Sequence, residues 1–575
     1  MFTDSLNAIA TATRGVLLQG NGTQPVRGVF TDTRQPIPGG IFVALKGERY
    51  DGHDFIEVAR SGGAAAVLVS RMDAAELLDS AKDIGIVLVP DTRQAFLDMA
   101  RAYRLKLDHV RWFGVTGSAG KTSVKEMLAS ILSCGAGWKV HRAEKSYNND
   151  IGLPATVLAA DVTHRAVILE LGTNHPGEIA RLTNVARPHI AILNNAGPSH
   201  LEAFSTVANV AEEKAHIFDH LGAGDAAILN ADDLHFDYWR SRLTGRVLTF
   251  GSRREADVRA EAIEERPGKG AHFYLCIGTR AEEIQLRVPG RHNVNNALAA
   301  AAAALAAYVP VEAIREGLCA YQGTERRFQV TEHEGVLVVD DAYNASPLSF
   351  RAALETLQEF AGRRIFVIAG DMLELGERAE SFHLELGRQL AAAAPHALLT
   401  VGPLAGLAGC SAVQAGLPPT AWMPCATPEE AAARIRPQLQ SGDVVLVTQV
   451  LDFLHPLPDG RPAGLEVTSL PTAGSWVGEA ARTVEVDTGV HACMPGPHYE
   501  TAAELELLRS LDVSTVSMSL ADEVLAASEV GMELVALAMV VNVGDTSHGE
   551  VLEGARRGAE RLRRTISSLL GTSTG

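Results

Sequence analysis

The sequence has no surplus of positive charge, no paired cysteines and no long apolar run. Its 51 Lys and Arg stand against 69 Asp and Glu, a formal charge of −18, which argues against a general binder of nucleic acid or anionic membrane. A local basic site for one phosphorylated ligand stays open. The six cysteines, Cys134, Cys276, Cys319, Cys410, Cys425 and Cys493, form no C-x-x-C pair and have no histidine at zinc-ligand spacing. Reduced core thiols of a cytoplasmic protein are therefore expected. The longest apolar stretches, Ala297 to Val309 and Leu534 to Val541, fall short of the roughly 18 residues that would cross a bilayer. The opening MFTDSLNAIATATRG lacks the basic start and apolar block of a secretory signal, so no membrane insertion is expected. Aromatics are scarce at 5%, yet 46% hydrophobic and 21% charged residues is the balance of a globular chain, which excludes disordered, collagenous and coiled-coil classes.

What is present is a repeated alternation. The runs AAAVLVS, IGIVLVP, RWFGVTG, AVILELG, HIAILNN, AAILNAD, VLVVDDA, RIFVIAG, ALLTVG and DVVLVT are each followed by a Gly, Asn or Asp turn and a helical pattern. Short apolar runs alternating with helices predict an α/β fold with parallel sheets covered on both faces, whose ligands lie at the carboxyl ends of the strands. At roughly 150 residues per domain, 575 residues predict three to four domains. The boundaries read as 1–107, a central domain 108–326, a third unit 327–455, a Pro- and Gly-rich linker 456–474 and a last piece 475–575. The alanine-rich stretch after Asn296 suits a packed helix.

The sharpest local signal is Gly114-Val-Thr-Gly117-Ser118-Ala119-Gly120-Lys121-Thr122-Ser123, after an apolar strand and before a helical pattern. Backbone N–H groups of such a turn approach phosphate oxygens, Lys121 can reach the outer phosphates and Thr122 can hold Mg²⁺. This is a nucleoside triphosphate site by mechanism, although its glycines depart from the strict phosphate-loop spacing, with Val at 115. Glu170 follows another apolar strand, and a carboxylate at such a strand end has the oxygen that a hard cation prefers; the plain alternative is an ordinary strand-end charge.

The G-x-T-G-S-x-G-K-T loop resembles that of the Mur ligases, which add amino acids to a cell-wall precursor, and of the related folylpolyglutamate synthases. Three further stretches resemble Mur ligase motifs. Leu169-Glu170-Leu-Gly172-Thr-Asn174-His175-Pro-Gly177-Glu178 carries the acid that binds Mg²⁺. Asn194-Asn195-Ala-Gly197-Pro-Ser-His200-Leu-Glu202 makes His200 a candidate ligand of a second Mg²⁺, where a lone histidine would more often be structural. Gly290-Arg-His292-Asn293-Val-Asn295-Asn296 implies Asn293 and Asn296 at a purine edge. Lys214 matches a lysine that the family carbamylates into a metal ligand; without the resemblance it would be a solvated helix lysine, and His216 stands where the family has Glu. Arg327 and its neighbour Arg326 compete for the arginine at the start of the last domain.

The ends of this region narrow the resemblance. Thr31-Asp32-Thr33-Arg34, Pro38-Gly-Gly40 through Lys46-Gly47 and Asp51-Gly-His53 resemble the domain that holds the UDP part of a UDP-muramoyl-peptide, which folylpolyglutamate synthases lack. The stretches Asp340-Asp341-Ala-Tyr343-Asn344-Ala-Ser346-Pro347 and Gly370-Asp371-Met372-Leu-Glu374-Leu-Gly376, with His383, resemble the branch that adds D-alanyl-D-alanine. The resemblance implies a three-domain Mur ligase architecture: a UDP-substrate domain, a central ATPase domain with a parallel sheet, and a Rossmann-like last domain. It also implies ATP and two Mg²⁺ ions as cofactors, UDP-N-acetylmuramoyl-tripeptide and D-alanyl-D-alanine as partners, no nucleic acid, and a monomeric ligase part. Lys121, Lys214, His200 and Arg327 would be catalytic and Thr122, Glu170, His200 and Lys214 metal-binding. Gly117 to Ser123 with Asn293, Asn296 and Asp341 would bind nucleotide, and Thr33, Arg34, Lys46, Gly47, Asp51, His53, Tyr343 and Asn344 substrate.

The resemblance stops after Asp443-Val-Val-Leu-Val447, where Thr448-Gln449 replaces the family's K-G-S-R, so the end of the last ligase domain is expected to be lost or replaced. Beyond the linker, Gly489 to Thr501, Val516 to Ser519, Val541-Asn542 and Ser547 to Glu553 resemble the carboxyl-terminal half of trimeric purine nucleoside phosphorylases. That implies a partial α/β tail with a vestigial purine site of Tyr499, Glu500, Met518, Ser519, Asn542 and His548. The amino-terminal half of that enzyme, with its phosphate anchors, is absent from the sequence. Phosphorylase activity, or an inactive ATP-binding fusion, are the alternatives to a working ligase.

Overall fold

The structure is a computed structural model; it describes residues 2–47, 50–71, 84–143, 146–266, 270–360, 362–448, 490–493 and 513–517. The chain divides into two compact units, one of Met1–Ala431 with Gln438–Leu451 and one of Ala432–Pro437 with Asp452–Gly575. All ten apolar runs read from the sequence are strands, and α/β layering organises the first unit throughout.

Near the amino end a five-stranded sheet runs in the order Val16–Gln19, Gly85–Leu88, Ala66–Val69, Ile41–Val43, Val29–Phe30. Its inner strands are apolar on both faces, with Val67 and Leu68 fully buried, as parallel strands covered on both sides must be. The largest sheet has nine strands. Six of its strands are parallel neighbours in the order Val140–Arg142, Ala166–Glu170, Arg111–Thr116, Ile190–Leu193, Ala226–Asn230, Arg246–Gly251. Three more, Val258–Arg266, Gly270–Ile277 and Arg280–Leu286, extend it, the last two antiparallel. The helix Arg291–Ala306 lies across this sheet and packs on the helix Lys121–Ser130. Its Ala297 and Ala299 to Ala303 are fully buried, because a side chain of one methyl lets two helices and a sheet approach closely.

A six-stranded sheet closes the unit, in the order Gln329–His333, Val336–Asp340, Val444–Val447, Ile365–Gly370, Ala397–Val401, Trp422–Cys425. All neighbours are parallel except the first pair. Val444–Val447, the strand at which the family resemblance stops, is therefore interior to its sheet. Thr448 caps it, its Oγ1 donating to Ile368 O at 3.1 Å. In the second unit, Val490–Cys493 and Val513–Ser517 pair in parallel. The expected purine-site residues Tyr499, Glu500, Met518, Ser519, Asn542 and His548 lie outside the described residues.

None of the five described cysteines forms a disulfide, as expected, but Cys134 and Cys410 are exposed and only Cys276 and Cys425 are buried. The expectation of core thiols holds for the latter two alone.

Candidate active site

Register brings three strand ends together. Glu170 stands opposite Val115 and Leu193 opposite Thr116, so the segments that follow these strands meet at one sheet edge. The loop Gly117 to Gly120 turns there into the helix Lys121–Ser130. No side chain caps that helix, and the N–H groups of its first turn have no partner within it. That is the arrangement an anionic ligand completes. Gly120 makes the turn possible at φ +78°, where an added Cβ would stand 2.3 Å from Asn296 Oδ1 and 2.6 Å from Asn194 Nδ2.

Amides from the other segments brace the loop. Ser118 N donates to Asn195 O at 3.1 Å, and Ala119 N donates to Asn195 Oδ1 at 2.9 Å. Asn194 Nδ2 bridges Ala119 O at 3.0 Å and Asn296 Oδ1 at 2.9 Å. Ser118 Oγ donates to Gly197 O at 3.1 Å. Asn296 Nδ2 donates to Asn293 Oδ1 at 3.3 Å, and Asn293 Nδ2 to Pro289 O at 2.8 Å. Asn293 and Asn296, expected at a purine edge, are both buried; Asn296 braces the loop through Asn194, and Asn293 holds Asn296. Among the described residues, the buried side-chain polar atoms of this helix without a hydrogen-bond partner are His292 Nδ1 and Asn295 Oδ1. Asn194 and Asn195 are functional residues to which the sequence assigned no role, although their motif was visible.

At the mouth of the loop Lys121 Nζ donates to Gly117 O at 2.7 Å. Burial lowers its pKa, with Glu170 opposing and Arg327 adding to the effect. Beneath it, Thr122 Oγ1 donates to Glu170 Oε2 at 2.9 Å, and Asn148 Nδ2 donates to Glu170 Oε1 at 2.9 Å. Thr122 and Glu170 are 7% and 2% exposed. A buried hydroxyl and carboxylate in contact beside a phosphate loop suit Mg²⁺, which takes few protein oxygens and completes its shell with phosphate and water. Among the described residues no cluster of three or more His, Cys, Asp or Glu forms a preassembled metal cage.

Lys214 is not a solvated helix lysine. On the helix Val207–Ala215 it is 1% exposed, and its Nζ has no hydrogen bond or ion pair among the described residues. Burial, then the charge of Lys121, pushes its pKa well below the ordinary value. Its neighbour Glu213 faces away, accepting from Gly177 N and Ile179 N at 2.8 Å. His216 pairs with Asp219 at 2.7 Å within its own turn. His200, at φ +52°, places Nδ1 2.5 Å from Glu374 Oε2.

The last sheet contributes across the same mouth. Of the two arginines left open, Arg327 is the one that faces the loop: its Nη2 lies 3.5 Å from Thr122 Oγ1 and its Cζ 3.7 Å from the centre of the Tyr343 ring. Arg326 is exposed, and its carbonyl accepts from Tyr343 N at 3.3 Å. Asp341 Oδ1 accepts from Phe328 N at 3.2 Å; burial raises its pKa to about 7 against the pull of Arg327. Asn344 is exposed, and Ser346 caps the helix Pro347–Leu357, its Oγ accepting from Ser349 N at 3.2 Å. A cleft of about 460 Å³, mostly apolar, opens beside Gly197 and is lined by Leu234, Leu348, Phe350, Met372 and Phe382 among others.

The expected UDP-site residues form a separate group. Arg34 pairs with Asp32 at 2.7 Å, and both are exposed beside Thr33. Lys46 bridges Asp51 through the backbone, and Gly47 N donates to Tyr50 O at 2.9 Å. His53 is buried, with Nδ1 2.6 Å from Asp51 Oδ1 and Nε2 accepting from Ser70 N at 2.9 Å. Both ring nitrogens are used, so His53 shapes this loop and has none left for a ligand. Among the described residues no hydrogen bond or ion pair joins these side chains to the phosphate-loop group.

Fold and site together define a phosphate-loop enzyme whose nucleotide site is completed by a second α/β sheet. Residues 25–104 match the Mur ligase family catalytic domain, 115–304 the Mur ligase middle domain and 326–448 the Mur ligase glutamate ligase domain. The UDP-N-acetylmuramoyl-tripeptide–D-alanyl-D-alanine ligase of Escherichia coli is 41% identical over 378 residues, covering 65% of this chain and 81% of that protein. That of Bacillus subtilis is 34% identical, covering 67% and 82%. The crystal structure of MurF from Acinetobacter baumannii aligns with a TM-score of 0.71 at 31% identity over 79% of this chain and 97% of that one. MurF ligase from Thermotoga maritima in complex with ADP aligns at 0.64 and 28% identity over 75% and 95%. The chain belongs to the Mur ligase family, among the UDP-N-acetylmuramoyl-tripeptide–D-alanyl-D-alanine ligases. Residues 431–571 separately match the phosphorylase superfamily.

Proposed function

We infer that the chain is an ATP-dependent ligase that joins D-alanyl-D-alanine to UDP-N-acetylmuramoyl-tripeptide through an acyl phosphate, yielding the pentapeptide precursor of peptidoglycan. The observation that carries the reading is the buried Thr122–Glu170 pair at the phosphate loop, met by Arg327 from the last sheet. Residues 1–107 would take the UDP part, 108–326 the ATP, and 327–455 would close over both. We place the reaction in the cytoplasm, where such water-soluble substrates would be met, and propose separately that the ligase part acts as a monomer.

In the reaction a carboxylate oxygen of the tripeptide attacks the γ-phosphorus and ADP leaves. The amine of D-alanyl-D-alanine then attacks the acyl carbon, and phosphate departs with that oxygen. Positioning and charge neutralisation dominate such a transfer. The first-turn N–H groups and Lys121 would hold the phosphates, Lys121 exchanging Gly117 O for a phosphate oxygen. Arg327, held by stacking on Tyr343, would meet the charge that develops on the transferred group. Thr122 and Glu170 would hold one Mg²⁺ and His200 with carbamylated Lys214 a second; when bound, the ions neutralise phosphate charge. Lys214 is suited to carbamylation because the amine must be unprotonated to add CO₂, releasing one proton, and burial favours its neutral form. The cleft beside Gly197 offers the amine substrate an apolar bed for its two methyl groups. Tripeptide labelled with ¹⁸O in its terminal carboxylate tests the route: one label should appear in released phosphate, and unlabelled phosphate would rule out the acyl phosphate.

A further inference from the structure

The loop Asp371 to Gly376, which follows the strand Ile365–Gly370, enters the reading above only through Met372 in the lining of the apolar cleft, yet it is firmly anchored. Asp371 Oδ1 accepts from Ala405 N at 2.6 Å, and Met372 N donates to His383 Nε2 at 2.9 Å. His383 is fully buried, and its Nδ1 lies 2.7 Å from Ala379 O, so the carbonyl fixes the proton on Nδ1 and leaves Nε2 as the acceptor. Met372 and Leu375 are 1% and 2% exposed. Between these buried residues Glu374 stands out: its side chain is 52% exposed and its backbone takes φ +61°. A non-glycine residue keeps that conformation only where its surroundings over-determine it.

What the tip reaches is the turn that carries His200. Glu374 Oε2 lies 2.5 Å from His200 Nδ1, an ion-pair contact, and Nδ1 makes no hydrogen bond of regular geometry among the described residues. Glu202 N donates to Glu374 O at 3.3 Å. The two backbones approach so closely at Gly376 that an added Cβ would stand 2.9 Å from Glu202 Cα. A side-chain contact, a main-chain hydrogen bond and a backbone apposition thus seat one loop tip on one turn, and His200 itself is held at φ +52°. Ser118, whose hydroxyl donates to Gly197 O, ties the same turn to the phosphate loop.

We propose that Glu374 is a positioning residue: by engaging Nδ1 of His200 it directs Nε2 toward the phosphate site, and it can do so only while the last sheet is closed on the central one. The inference rests on the ligase reading above. A carboxylate on one ring nitrogen sets the tautomer and orientation of the other, and losing such a partner typically costs ~10–100-fold in the function of the histidine it holds. Closure and completion of the site become one event, because the carboxylate and the histidine come from different sheets.

The test compares Glu374→Ala and Glu374→Gln in the full chain. Ligation should fall ~10-fold or more in kcat for Glu374→Ala with KM for ATP nearly unchanged, while Glu374→Gln, whose amide oxygen can still accept from Nδ1–H, stays within about 3-fold of the parent. With ¹⁵N-histidine labelling, and His200→Gln to assign the signal, Glu374→Ala should move the His200 ring nitrogens away from the parent tautomer pattern. Parent kcat in Glu374→Ala, equal losses in both variants, or an unmoved His200 signal would each overturn the proposal. Absence of ligation in the parent chain would instead refute the functional reading, and the nitrogen spectra would still decide the contact.

Discussion

Substituting Gly120 by alanine tests whether the phosphate loop is held by the asparagine network. The new Cβ would sit at φ +78°, 2.3 Å from Asn296 Oδ1 and 2.6 Å from Asn194 Nδ2. A left-handed backbone costs a non-glycine residue ~1–2 kcal/mol. Parting the 2.9 Å Asn194–Asn296 bond leaves the buried Asn296 Oδ1 and one N–H of Asn194 Nδ2 without a partner, which costs a further ~1–3 kcal/mol. The total of ~2–5 kcal/mol corresponds, for a unit of this size, to a fall in melting temperature of roughly 2–5 °C. Gly278→Ala is the control. Its φ is +58° but nothing lies within 4 Å of an added Cβ, so it carries only the backbone cost. Calorimetry of both variants should place Gly120→Ala clearly below Gly278→Ala, and ligation should fall ~10-fold or more only in the former, as first-turn N–H groups shift by a fraction of an ångström. Equal melting temperatures, with parent-level ligation by Gly120→Ala, would refute the argument.

Lys121→Ala should abolish ligation while the chain melts as the parent does; full activity would sink the assignment of the loop. Lys214→Met fills a similar buried volume without an amine, so calorimetry should find it at least as stable as the parent and assays should find ligation lost; reduced stability with intact ligation would contradict the role given to Lys214. Glu359, beside Glu265, has its pKa raised to about 8, chiefly by burial, above the roughly 4.3 of an unfolded chain. The folded state therefore keeps a proton that the unfolded state loses, and stability falls as pH rises through that window. Glu359→Gln removes this loss, so urea melts should show its advantage over the parent growing from pH 5 to pH 9. The phosphorylase-like tail lacks the phosphate anchors of that fold, and the purified chain should release no hypoxanthine from inosine and phosphate.

Much of the fold was legible because parallel strands buried on both faces are continuous apolar runs, and each of the ten runs is a strand. The strands Val258–Arg266 and Arg280–Leu286 escaped that criterion: one face of each meets solvent, their burial alternates, and they carry charges such as Glu261 and Glu283. The phosphate loop was legible because its parts are contiguous. Contacts between distant residues were not: Asn194 with Asn296, His200 with Glu374 and Thr122 with Arg327 are set by sheet register and closure rather than local pattern. For the same reason a buried brace such as Asn293 and a reactive side chain look alike in sequence. The choice between Arg326 and Arg327 turns on a stacking contact with Tyr343 that no spacing encodes. His53 was legible as a residue with a purpose, and its two ring hydrogen bonds make that purpose the shape of a loop.

The central claim is that one closed site couples ATP cleavage to amide formation. A coupled assay of ADP release, with each substrate omitted in turn, tests it most directly. Sustained ADP release should require UDP-N-acetylmuramoyl-tripeptide and D-alanyl-D-alanine together; release that persists without either one, or none with both present, would contradict the account.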